Sequence, residues 1–190
     1  MLNSSYKKKS FGELIELAKE DDFKALGEII RLIQKDVYTT LSYLVNDKSS
    51  IADLTQNVLI KVAKNIKSLQ DNERFNAWLN RIISNVYYDE MRKQKRGCLY
   101  LSIDEEECLE LKDESGTCPA EKCAATELDK LVKKSILNLP VHFKIPIILR
   151  ELAGLTYQEI ANITHASIGT VKSRIARARN ILQNELKNCI

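Results

Sequence analysis

YQEIANITHASIGTVKSRIARAR, Tyr157 to Arg179, holds two helical patterns separated by four residues, and only the second is rich in cations. Just ahead of it, Thr156 to Glu159 spells T-x-x-E, a capping box that starts the first helix after the helix-ending Gly154. Ile160, Ala161 and Ile163 bury one side of that helix. The residues THAS (164–167) make the turn, with Ser167 placed to cap the second helix. There Val171, Ile175, Ala178 and Leu182 recur at i, i+4, i+7 and i+11 and face a core. At about 100° per residue, Lys172, Ser173, Ala176 and Arg177 project to the opposite side, flanked by Thr170 and Arg174. This is the pattern of a helix-turn-helix, whose second helix enters a major groove while the first braces it. An ordinary helical hairpin with a solvated cationic face has the same pattern, so on these residues alone both readings stand.

The rest of the chain narrows the choice. Its 190 residues suit one large domain or two small ones, and 44% hydrophobic with 29% charged residues is an ordinary soluble composition. Six Gly and three Pro are few turn formers, which favours helices over many short strands. MLNSSYKKKS is followed by FGELIELAKEDD rather than an apolar run, so no signal peptide is expected. Aliphatic runs are only a few residues long, so membrane insertion is not expected and the cytoplasm is the expected location.

Charge is unevenly spread. Thr170 to Ile190 carries five cations against Glu185, and Arg81 to Arg96 carries five against Asp89 and Glu90. Between them, Gly97 to Ala125 has eight acids and only Lys112 and Lys122. Two basic ends around an acidic middle suit two contacts with a polyanion and a tether that avoids it.

Helical periodicity runs from about Phe11 to Arg96. Leu26, Ile29, Ile30, Ile33 and Val37 share one face; Ile51, Leu54, Val58, Val62 and Ile66 share another after the break NDKSS (46–50). Phe75, Trp78, Leu79, Ile82, Ile83 and Val86 form a third after QDNE (70–73). Such faces must pack on one another as one domain. Residues 97–119 lack a sustained period and read as a linker. Periodicity resumes with Leu128, Leu131, Val132, Ile136 and Leu139; Pro140 ends that helix, and VHFKIPIILREL (141–152) begins another. The expected fold is all-α: a helical domain over 1–96, an acidic flexible linker over 97–123, and a helix-turn-helix domain over 124–190.

LREL (149–152), GLTYQEIA (154–161) and IGTVKSRIARAR (168–179) together resemble region four of bacterial sigma factors, in particular the small extracytoplasmic-function group of the sigma-70 family. DLTQNVLIKVAKNI (53–66) resembles the polymerase-binding helix of region two, and FNAWLNRIISNVYYDEMRKQKR (75–96) its promoter-reading helix. The two regions cover nearly the whole chain in the right order. The resemblance implies a sigma initiation factor that directs core RNA polymerase to specific promoters and aids their opening. Its implied partners are core polymerase, promoter DNA and an anti-sigma factor; it implies no cofactor.

Residue by residue, Asp53, Gln56, Ile60 and Lys64 share one side of their helix, opposite the buried face. An aliphatic Ile60 among polar residues suits a partner surface, although single exposed apolar residues are common. By resemblance Asp53 and Gln56 are polymerase-binding positions, while Asn57 stands where the family commonly has an acid. Trp78 is a core anchor or a base-stacking platform, and both remain open. Arg81, Asn85, Tyr88 and Arg92 line the polar side of their helix; Arg81 and Asn85 match positions near the minus-ten strand. The loop Leu69 to Asn76, which includes Arg74, corresponds to the pocket for a flipped base. Arg92 and Lys93 open a run (92–96) that binds phosphates in the family and is a solvated helix end otherwise. For the minus-thirty-five element the expected contacts are Lys172, Ser173 and Arg177, with Thr170 and Arg174 beside them. Arg150 and Tyr157 match backbone-touching positions, and His165 reads as structural.

Cys98, Cys108, Cys118, Cys123 and Cys189 form no C-x-x-C pair; free thiols are expected rather than a metal or redox site. Neither a phosphate-binding Gly loop nor a catalytic constellation is present in the sequence, so no enzyme is expected. The rival reading is a stand-alone helix-turn-helix regulator, which leaves residues 53–96 unexplained.

Overall fold

The computed structural model describes Tyr6, residues 9–101 and residues 127–187, with side chains described except for 95–101 and 128. Among these residues the fold is all-α, in two helical domains. The first comprises α1 (Phe11–Lys19), α2 (Phe23–Ser42), α3 (Lys48–Asn65) and α4 (Phe75–Leu101). Two short 3-10 turns, Ile66–Ser68 and Asn72–Arg74, link α3 to α4. The second comprises α5 (Glu127–Asn138), α6 (Val141–Glu151), α7 (Tyr157–Thr164) and α8 (Ile168–Lys187).

Side-chain caps set most of the helix starts. Ser10 and Glu13 form a full capping box on α1. Asp22 accepts from the backbone N–H groups of Lys24 and Ala25 at 2.9 and 3.1 Å to begin α2. Asp47 caps α3 by accepting from Ser50 N at 2.7 Å. Hydrogen bonds from Ser49 first, then Ser50, hold its carboxyl down at about 2. The break expected over 46–50 is therefore shorter: Lys48, Ser49 and Ser50 are already the first turn of α3. These residue types suit a loop and a capped helix start equally. At the other end, α4 runs on to Leu101, past Arg96, where the change of charge placed a boundary.

The periodic faces meet as expected. Ile29, Val37, Val58, Val62 and Ile83 are fully buried between α2, α3 and α4, with Leu14 and Ile15 of α1 beside them. Burial of each such side chain stabilises by about 1.5–3 kcal/mol. In the second domain Ile148, Leu149, Ile160, Val171, Ile175 and Ala178 make the core. Glu28, buried, is neutralised by Arg31 one turn on, at 2.5 Å. Lys144 is buried too; burial lowers its pKa, and its Nζ donates to the Leu137 carbonyl at 2.6 Å, closing the end of α5. Pro146 lies inside α6, so the His142 carbonyl lacks its intrahelical donor, on a residue open to solvent.

The two domains touch. Asn76 Nδ2, at the start of α4, donates to the Ala153 carbonyl at 2.8 Å, just ahead of α7. Lys133 of α5 sits 5.9 Å from the Tyr43 ring centroid at the end of α2.

Candidate nucleic-acid interface

The helix-turn-helix is built as the local sequence dictates. Thr156 and Glu159 close a capping box on α7. His165 ends that helix in the left-handed region, at φ 51° and ψ 42°. Ser167 accepts from Thr170 N at 3.1 Å, capping α8. With Val171, Ile175 and Ala178 buried, Lys172, Ser173, Ala176 and Arg177 are all exposed on one side of α8. Thr170 and Arg174 are half-buried at its margins. Ser173 Oγ donates back to the Thr170 carbonyl at 3.0 Å. Arg179 is drawn off this face into an ion pair with Glu151 at 2.6 Å, which ties α8 to α6.

Arg150 and Tyr157 belong to the scaffold of this face. Arg150 donates to the Leu155 carbonyl at 2.8 Å, and its guanidinium lies 4.9 Å from the Tyr157 ring centroid. Lys172 lies 5.8 Å from the same ring. One aromatic side chain on α7 thus orients a cation from α6 and another from α8. The sequence places each of the three residues; their stacking depends on how three helices cross.

In α4, Arg81, Asn85 and Arg92 are exposed on one strip, as the periodicity requires. Tyr88 departs from that expectation. It is half-buried, burial raises its pKa, and the Arg174 guanidinium is near enough to oppose the rise. The charge of Arg174 on α8 is thus felt at Tyr88 on α4. Trp78 is half-buried as well, tilted against Phe75 at 5.6 Å, so it is neither a full core anchor nor an open platform. Arg74 is open at 79% side-chain exposure and paired with Asp71 at 3.3 Å. Arg92 and Lys93 pair with Asp89 and Glu90 at 3.3 and 3.9 Å. Such exposed pairs are weak and leave the cations free to meet phosphates. Lys95 and Arg96, the acidic linker from residue 102 and all five cysteines lie outside the described side chains.

Two further surfaces lie apart from these cationic faces. On α3, Asp53, Gln56 and Lys64 are exposed around Ile60, which keeps 50% of its surface open. In the second domain an apolar groove of about 550 Å³ opens between α5, α6 and α8, lined by Val132, Ile136, Leu152, Leu182 and Leu186. Tyr43 of the first domain lines it as well. This groove was not legible in the sequence, because each helix contributes only a margin of its apolar stripe. Among the described residues no group of His, Cys, Asp and Glu is arranged to hold a metal ion, and no helix is long and apolar enough to cross a membrane.

The comparisons with known proteins agree with this architecture. The profile of Sigma-70 region 2 matches residues 29–97, and that of Sigma-70, region 4 matches residues 130–182. The chain is similar to the ECF RNA polymerase sigma-E factor of Haemophilus influenzae, 32% identical over 92% of this chain and 94% of that one. It is equally similar to the sigma-E factor of Escherichia coli, at 32% over 93% and 94%. Among solved structures, the sigma factor RpoE of Bartonella quintana, in complex with the anti-sigma factor NepR, superposes with a TM-score of 0.66 at 27% identity, covering 86% of this chain and 98% of that one. The chain belongs to the extracytoplasmic-function sigma factors of the sigma-70 family. It is a sigma initiation factor, a family identity that implies a non-catalytic role.

Proposed function

We propose that this chain works in the cytoplasm by holding core RNA polymerase at two places and a promoter at two others. The observation that carries this reading is the pairing, in each domain, of a cationic face with a separate surface for a partner: a polar strip around the open Ile60 in the first and an apolar groove in the second. The α3 strip of Asp53, Gln56 and Ile60 meets one part of polymerase. The groove between α5, α6 and α8 receives an apolar helix of another.

On the DNA side, α8 enters the major groove of the minus-thirty-five element. Lys172, Ser173 and Arg177 face the base edges and phosphates there, with Thr170 and Arg174 at the margins. Arg150 and Tyr157 hold this face in shape and touch the DNA backbone beside it. The second contact is with the melted minus-ten strand, along Arg81, Asn85, Tyr88, Arg92 and Lys93 of α4. The loop 69–76, with Arg74, receives an unstacked base, and Trp78 supports it. Melting is driven by capture of bases out of the stack, with no bond made or broken. An anti-sigma factor would act by covering the same surfaces, as the Bartonella relative is itself found in complex with one.

The domains meet in the free chain, where Asn76 bonds the Ala153 carbonyl, so polymerase fixes the spacing at which both elements are read at once. Purified protein should therefore support promoter-specific initiation by core polymerase and bind promoter duplex weakly alone. Absence of specific transcripts across a library of genomic promoters overturns the reading. Tight specific duplex binding without polymerase favours a stand-alone regulator instead.

A further inference from the structure

The loop between α3 and α4 is tied to a helix that the promoter reading does not use. Asn72 Nδ2 donates to Glu16 Oε1 at 2.6 Å, and Lys19 Nζ donates to Asn72 Oδ1 at 2.8 Å. Lys19 closes the ring with Glu16 at 3.1 Å. Each of the three side chains meets both others, although Asn72 lies 56 and 53 residues from its partners in sequence. The bond from Asn72 is also the main reason why the Glu16 carboxyl sits below its ordinary range.

Two further ties reach the same segment. Lys67 pairs with Asp21 at 2.6 Å at the start of the loop. The Phe11 ring packs edge-on against Phe75 at 4.9 Å at its end. Within the loop, Asp71 caps the 3-10 turn by accepting from Glu73 N at 3.0 Å. The same loop carries the open Arg74.

We propose that Glu16 and Lys19 are specificity-positioning residues for the minus-ten element: they never touch DNA, but set the conformation in which the loop 69–76 receives an unstacked base. The proposal rests on the reading of that loop as the base-receiving element. The physical ground is preorganisation. A free surface loop would lose conformational freedom as it closes on a base, whereas a loop already held by α1 keeps its affinity for the one base that fits. Glu16 and Lys19 lie one turn apart on α1, so their two head groups reach Asn72 together. The aliphatic stem of Lys19 is largely covered, at 19% side-chain exposure, which keeps its ammonium on the amide.

The test uses holoenzyme assembled from core polymerase and full-length variants, with transcription measured from promoters changed one base at a time. Lys19→Met keeps the covered stem and removes the donor, and Glu16→Ala removes the acceptor. Each should reduce discrimination at one or two minus-ten positions by roughly three- to ten-fold, the size of one net hydrogen bond. Discrimination at the minus-thirty-five element should not change. Glu16→Gln, which keeps an acceptor oxygen for Asn72, should retain most of the preference. If Asn72→Ala and Arg74→Ala alter minus-ten preference while Lys19→Met and Glu16→Ala do not, the positioning role is overturned and the loop keeps its assignment. If none of the four alters it, the base-receiving reading fails and the positioning role fails with it. Equal losses at both promoter elements, together with a lowered melting temperature, would mean that the ring only stabilises the domain, which also overturns the proposal.

Discussion

Replacing Ile60 with alanine tests the polymerase-facing strip with a magnitude set by the structure. Half of Ile60 is open to solvent in the free protein. Full burial of an isoleucine side chain is worth about 1.5–3 kcal/mol, so covering the open half contributes about 0.8–1.5 kcal/mol to binding. Ile60→Ala should therefore weaken association with core polymerase roughly 4- to 12-fold. The half already packed in the domain is worth a similar amount to folding, which leaves the variant folded at room temperature. Competition with a fluorescent wild-type chain for core polymerase would measure the change. Leu32→Ala is the matched control: Leu32 on α2 is 43% exposed, and its removal should leave polymerase binding unchanged. Equal weakening by both variants would mean that general loss of stability, not a contact, is being read. No weakening by Ile60→Ala, with Asp53→Ala and Gln56→Ala equally silent, would refute the strip.

Three other outcomes are expected. Arg177→Ala should relax recognition of the minus-thirty-five element alone: a lost base contact costs about 1–3 kcal/mol at one position, whereas a lost phosphate contact weakens all sequences and lowers the salt slope by roughly one unit. Unchanged transcription in promoter panels at two salt concentrations would leave Arg177 a solvated cation. Tyr87 is buried, and burial raises its phenol to about 12. Because its folded pKa lies above the unfolded value of about 10, the native state holds the proton more tightly; this stability is complete below pH 10 and lost as pH rises through 12. Tyrosinate absorbance should show a late-titrating component that Tyr87→Phe diminishes; an unaltered titration refutes the assignment. His165→Gly relieves a left-handed backbone and should stabilise the second domain by about 0.5–1 kcal/mol, read as a higher urea midpoint; no rise would mean the His165 ring makes compensating contacts.

Much of this protein is written in short-range patterns. The capping box at Thr156 and Glu159, the i, i+4, i+7 rows of Val171, Ile175 and Ala178, and the outward placing of Lys172 and Arg177 follow from spacing alone, and the structure has them. Features joining residues far apart in the chain were not legible. Tyr88 reads as an open residue on its helix but is half-covered near Arg174, because no periodicity reports what a second domain lays over a helix. Asn72 looks like any loop amide until α1, more than fifty residues earlier, supplies both of its partners. Trp78 falls at the edge of an apolar stripe, where a small rotation of the helix decides between core and surface. The α3 start was ambiguous for a different reason: Asp and Ser favour loops through the same side-chain bonds by which they begin helices.

The ring of Tyr157, with Arg150 at 4.9 Å and Lys172 at 5.8 Å, has a consequence for transplanting this reading head. A graft of α8 alone into another helix-turn-helix scaffold would carry every letter of the DNA-facing surface. It would leave behind the aromatic plate that aligns Lys172 and the neighbouring guanidinium that shares it. The unit of inheritance for promoter preference is then three helices rather than one, and a chimera that respects that unit would keep its target where a helix swap drifts.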